Sequence, residues 1–235
     1  MTTPQLPSGP PVTTIEEVID RMEAIEAALP PTDGLACFNR MYLGVTQQVL
    51  ASVKQTMFAD PEFLVHLDVL FANLYFDAVN AVTLDPENIP IAWRPLMKRR
   101  THAGIEPIQF ALAGMNAHIN HDLPIALFST CTNLETEPKD DPHHRDYSKV
   151  DVLLDAAEQS VRQSFEAGIV LKIDKHAQAC TNVVANWSMN AAREMAWDTA
   201  LGLWETRTMD IAHKMMLLML GRTVALASRG LLVVV

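Results

Sequence analysis

The sequence predicts an all-α protein, an irregular bundle of about seven to eight helices in a single domain. Three observations predict it: apolar residues recur at helical spacing through nearly every segment, the punctuation is of the helix-cap kind, and only 9 glycines are spread over 235 residues. With 49% hydrophobic side chains the chain is long enough for one substantial core and short for two. Residues 1–13, interrupted by prolines, are expected as a flexible N-terminal lead, and residues 14–235 as the helical domain.

The elements follow in order. Thr14-Ile-Glu-Glu17 has capping-box spacing and opens a helix that ends before Pro30-Pro31. Asp33 is placed to cap a second helix through CFNRMYLGVTQQVLASV. Asp60-Pro61 sets a cap residue ahead of a proline at the first helical position, starting a third helix through LVHLDVLFANLYFDAVNAV. The segment LDPENIPIAWRPLMKRR, broken by three prolines, is expected as a loop or broken helix crossing the surface. Pro107 opens the helix that carries ALAGMNAHINHDLPIAL, and TNLETEPKDDPHHRDY after it has the composition of a surface loop or lid. Three long helical patterns complete the chain, roughly 148–167, 175–206 and 209–228. Gly230 closes the last, and Met215, Met216 and Met219 fit as core filler.

Composition removes several classes of function. A balance of 18 basic against 28 acidic side chains gives a net charge of -10 and no cationic stripe, so nucleic acid is not an expected partner. Cys37, Cys131 and Cys180 are odd in number and far apart, as in a reducing compartment, and the N-terminus lacks a basic and apolar leader; a cytoplasmic location is the expectation. Lys214, Arg222 and Arg229 interrupt the apolar C-terminal stretch well short of the roughly 20 residues of a membrane span. No membrane span is therefore expected, while a homo-oligomer through that apolar end stays open. The motifs of serine hydrolases, P-loop kinases and dinucleotide-binding enzymes are all lacking.

What remains is polar chemistry inside apolar helices. On a helix advancing about 100° per residue, His118, His121 and Asp122 share one narrow sector, while Gln109, Asn116 and Asn120 form an opposite stripe. Gly114, one turn before His118, leaves room for a close neighbour. Pro124 has no N–H for the Asn120 carbonyl, which predicts a kink or break beside the His-Asp pair. On the third helix His66, Asn73, Asp77 and Asn80 fall on one line, with Asp68 and Tyr75 nearly opposite. Trp187, Glu194, Asp198 and Glu205 would make a third wall, with Arg193 positioned to stack on Trp197. His143 and His144, in an acidic stretch, are expected in solvent.

Such residues support two kinds of catalysis. His118, His121, Asp122 and Asp68 are the donor types that hold zinc, iron or manganese and so activate water. Without a metal, the same four residues make a general acid/base group in which Asp122 orients a histidine. Asn116, Asn120, Tyr75 and Asn73 would bind substrate. The leading expectation is a metal-assisted, hydrolase-like enzyme acting on a small, largely apolar metabolite in a buried polar pocket. A metal-free cyclase, isomerase or lyase of secondary metabolism is one alternative; a non-catalytic binding or scaffold protein, whose polar core fixes helix register, is the other.

Four strings, GLACFNRMYLGVT, FADPEFLVHLDVLFANLYFDA, GIEPIQFALAGMNAHINHDLPIAL and NWSMNAAREMAWDTALGLW, resemble a domain-of-unknown-function family of mostly bacterial, all-helical proteins, over about 34–207. NAHINHDLP is the most distinctive. The resemblance implies helical architecture and places Asp68, Asn116, His118, Asn120, His121 and Asp122 in the motifs of the family; it implies no activity.

Overall fold

Local capping chemistry sets where the helices begin. The computed structural model describes residues 6–53, 58–139, 142–152, 154 and 188–234. The Thr14 hydroxyl accepts the Glu17 N–H at 3.2 Å, and the Glu17 carboxylate accepts the Thr13 N–H at 2.7 Å, opening α1 (Ile15–Ala28). Asp33 accepts the Leu35 N–H at 2.9 Å as α2 (Gly34–Val53) begins. Asp60 accepts from Phe63 at 3.0 Å, with Pro61 in the first turn of α3 (Pro61–Leu84). Then come α4 (Arg94–Arg99), α5 (Pro107–Ala117), α6 (Leu123–Asn133), α7 over 142–152, α8 (Met189–Thr206) and α9 (Asp210–Leu231), and no strand occurs among the described residues. The all-α architecture is the one that the periodicity predicts.

Two apolar clusters fill the molecule. One gathers α1, α2, α4, α5 and the later turns of α3 around Phe38, Trp93, Leu96 and Phe110; the other joins the first turns of α3 to α6, α7 and α8 around Phe63, Leu67, Leu127 and Trp197. Phe71 packs against both. Helix α3 is the described helix long and apolar enough to cross a membrane, and here it is shared between the two cores. Helices α2 and α5 touch closely because glycines allow it: a Cβ on Gly34 or Gly114 would lie 2.4 Å from the ring of Phe110 or Phe38. Between α5 and α6 runs one π-helical turn, His118–Asp122, in which the Leu123 N–H bonds to the His118 carbonyl. The disruption expected from Pro124 takes this form.

Several expectations need correction. From Leu6 onward the N-terminal segment is tied down: Asn73 brackets Val12 with two 2.9 Å hydrogen bonds, Arg21 donates to the Pro10 carbonyl at 2.7 Å, and Leu6 is buried. The proline-rich stretch after α3 does not simply cross the surface, since it buries Trp93, Leu96 and Ala92. The helix Met189–Thr206 begins at Met189, capped by Ser188, and the part of the expected pattern over 175–187 lies outside the described residues. The polar stretch after α6 becomes helical by residue 142, so His143 sits on α7, stacked on Phe63 at 4.4 Å with Nε2 3.0 Å from Asp60. Met215 and Met219 are not core filler; with Ile211 and Leu226 they lie on the exposed face of α9. Cys180, Trp187 and the pattern over 155–187 lie outside the described residues.

Candidate functional site

His118 stands where the two cores meet. Its ring lies flat on Phe71, centroids 3.5 Å apart and planes 6° from parallel, and meets the Tyr42 ring edge-on at 4.3 Å. Phe38, Tyr75 and Trp93 complete an aromatic enclosure at 5.6 to 6.2 Å. The π-turn brings His118, His121 and Asp122 together: His118 Nδ1 is 3.2 Å from Asp122 Oδ2, and His121 Nδ1 is 2.7 Å from Asp122 Oδ1. A third donor comes from a segment that the sequence gave no reason to place here, because the Trp93 indole N–H donates to Asp122 Oδ2 at 2.9 Å.

The electrostatics follow from this geometry. Burial opposes ionisation of Asp122, yet its hydrogen bonds with His118 and His121 outweigh this and hold the carboxyl below its usual range. Asp122 is therefore a carboxylate that only accepts, so His118 carries its proton on Nδ1 and presents a lone pair on Nε2. Burial pulls the His118 pKa down, against the raising effect of Asp122, and the ring stays neutral.

That lone pair has no partner. His118 Nε2 and Asp68 Oδ2 are buried polar atoms without a hydrogen bond among the described residues, and the Tyr42 and Thr46 hydroxyls have no partner there other than each other. All four residues line one cavity of about 100 Å³, whose other described lining is mostly apolar, with Arg193 and Tyr147 the exceptions. Buried polar atoms are normally paired, so two orphans and two hydroxyls paired only with each other around one space point to something that enters it. Asp68 faces this space from α3, and burial, opposed by the charge of Arg193, pushes its carboxyl up to about 6. Arg193 itself is committed: its guanidinium lies 2.5 Å from Asp151, donates to the Tyr147 carbonyl at 2.9 Å and stacks 4.0 Å from the Tyr147 ring, not on Trp197.

The other expected site residues are elsewhere. Asn116 donates to the Val224 carbonyl and to Ser228 Oγ, each at 2.9 Å, and accepts from Asn120 at 3.0 Å, so this pair grips α9 and does not reach the cavity. Asn73 holds the N-terminal segment. Tyr75 donates to Asn39 at 3.1 Å inside the first core. His121 sits on the far side of Asp122 with Nε2 towards Gly221. His66 pairs with Asn133, Asp77 is exposed, and Glu194, Asp198 and Glu205 are on the surface. Among the described residues no three His, Cys, Asp or Glu side chains converge as a metal requires. The four expected ligands are split, two nitrogens being turned inward to Asp122 and Asp68 standing apart. Sequence reasoning missed Tyr42 and Thr46; the available signal was two hydroxyls spaced i, i+4 on the apolar face that starts at Phe38.

A family model matches residues 15–234. The chain belongs to the family of unknown function DUF5995. The match covers every residue of the cavity and of the Asp122 network. No curated protein and no solved structure matches the chain. Membership of DUF5995 thus fixes the relationship of the whole helical unit and leaves its chemistry to the side chains.

Proposed function

We propose that this protein is a metal-independent acid/base enzyme that moves a proton on a small, largely apolar molecule, in an isomerisation or elimination. The observation that carries the reading is the unpartnered Nε2 of a neutral histidine, oriented through Nδ1 by a buried carboxylate and aimed into an apolar cavity. His118 is the base. Asp122 fixes its tautomer and stabilises the imidazolium that forms when Nε2 takes the proton. Asp68, whose carboxyl burial pushes up to about 6, gives a proton in its acid form at a second atom of the substrate, and once product leaves a proton passing from the His118 imidazolium to the Asp68 carboxylate restores the starting state. The largely apolar lining offers a water molecule few partners, which favours proton transfer within the substrate over hydrolysis. A purely structural role fits Asn116 and Asn120, which hold α9, and His121, whose Nδ1 is bound to Asp122.

The test incubates the full chain and its His118→Gln variant with pooled small apolar metabolites, with and without a chelator, and reads mass-conserving or dehydrative products by mass spectrometry. Wild type is expected to form a product that the chelator does not affect, and His118→Gln to fold normally and slow formation by about a hundredfold or more. Loss of product on chelation, or equal turnover by the variant, would overturn the reading.

A further inference from the structure

Resting on the assignment of His118 as the base, we infer that the cavity takes a small neutral alcohol or phenol, its hydroxyl donated to His118 Nε2 and its hydrocarbon body held against Phe71 and the aliphatic wall. Hydrogen-bond bookkeeping selects the functional group. The polar atoms are one pure acceptor, Nε2, a carboxyl oxygen, and the Tyr42 and Thr46 hydroxyls, which keep one O–H proton to donate when they pair with each other. A ligand hydroxyl donates once and accepts once or twice, so it satisfies Nε2 and one of the hydroxyls together. A ketone, ether or nitrile only accepts, and leaves Nε2 bare. A hydrocarbon leaves Nε2 and the Asp68 oxygen unpaired.

Charge selects the neutral form. Asp68 and Arg193 both line the cavity, so an anion meets Asp68 and a cation meets Arg193. Arg193 is already neutralised by Asp151 and stacked on Tyr147, the charge of Asp122 is spent on Trp93, His118 and His121, and the Asp68 carboxyl, pushed up by burial, has the charge of Arg193 acting on it in turn. Size sets the rest. A closed apolar cavity of roughly 150 Å³ holds a benzene; the space here is about 100 Å³, with Met41, Met115 and Met189 in its wall to adjust around a single ring.

The probe is phenol, which is neutral at pH 7.5, compared with toluene, benzoate and benzylamine by calorimetric titration of the full chain. Phenol is expected to bind with one site, raise the melting temperature and shift the Nε2 resonance of His118 in nitrogen-15 spectra; toluene is expected to bind about tenfold or more weakly, and the two ions to give no saturable heat. The shape-preserving variants Thr46→Val and Tyr42→Phe, checked for folding, should shrink the preference of phenol over toluene. Equal binding of toluene, binding of either ion, no saturable phenol binding, or binding that leaves the His118 resonance unmoved would each overturn the ligand class. His118-dependent turnover of a charged substrate would remove the ligand class and keep the base; phenol seated on His118 in a protein with no His118-dependent turnover would remove the base and keep the ligand class.

Discussion

Asp68 and Asp122 show how far environment separates two identical side chains. Three donors converge on Asp122 and hold it ionised, whereas one Asp68 oxygen has none. The consequence for stability has a definite sign. With its pKa raised from 3.8 to about 6 by burial, Asp68 is protonated more readily folded than unfolded. Its contribution is therefore full below the unfolded value and is lost as pH rises through 6. Asp68→Asn, which mimics the neutral acid, is expected to be more stable than wild type at pH 7.5 by on the order of 2–3 kcal/mol, with the advantage gone by pH 4. Urea unfolding at a series of pH values reads this directly, and a gain independent of pH would show that Asp68 is not held in a disfavoured ionised form.

At the scale of the helix, polar groups that look alike in sequence divide into locks and tools. The Asn116–Asn120 pair lies on the same α5 and π-turn segment as His118 but closes onto α9, through a carbonyl 108 positions away. Asn116→Ala is expected to cost about 1–3 kcal/mol and lower the melting temperature by several degrees, while phenol binding stays at the wild-type level. Lost binding at an unchanged melting temperature would instead return Asn116 to the site. This division marks the limit of what sequence reveals. The starts of α1, α2 and α3 were legible because Thr14, Asp33 and Asp60 act on N–H groups two or three residues away, and the sector of His118, His121 and Asp122 was legible because it spans one turn. Which donors fill Asp122, and which asparagine faces α9, depend on contacts between distant segments. Trp93 carried no local sign that its indole would reach Asp122, 29 positions on.

Over the whole molecule, the cavity lies on the seam between two apolar cores, with Phe71 shared by both and the N-terminal segment strapped along α3 by Asn73 and Asn80. Only one turn, His118–Asp122, carries the chain from α5 in one core to α6 in the other. A π-turn is a helix with one residue to spare: the insertion is absorbed locally, and the helix beyond it keeps the phase it would have had without it. The two cores do not depend on the extra residue for their alignment. Deleting Asn120 is thus expected to leave far-UV circular dichroism and both cores in place. Stability should fall by about 3 kcal/mol as Pro124 clashes inside a continuous α-helix, and the downfield Nδ1–H signal of the His118–Asp122 pair should vanish. Wholesale loss of helix would show the cores to be in phase only through the bulge. In terms of descent, a scaffold of this kind can acquire or shed the pairing of His118 with Asp122 by gaining or losing a single codon.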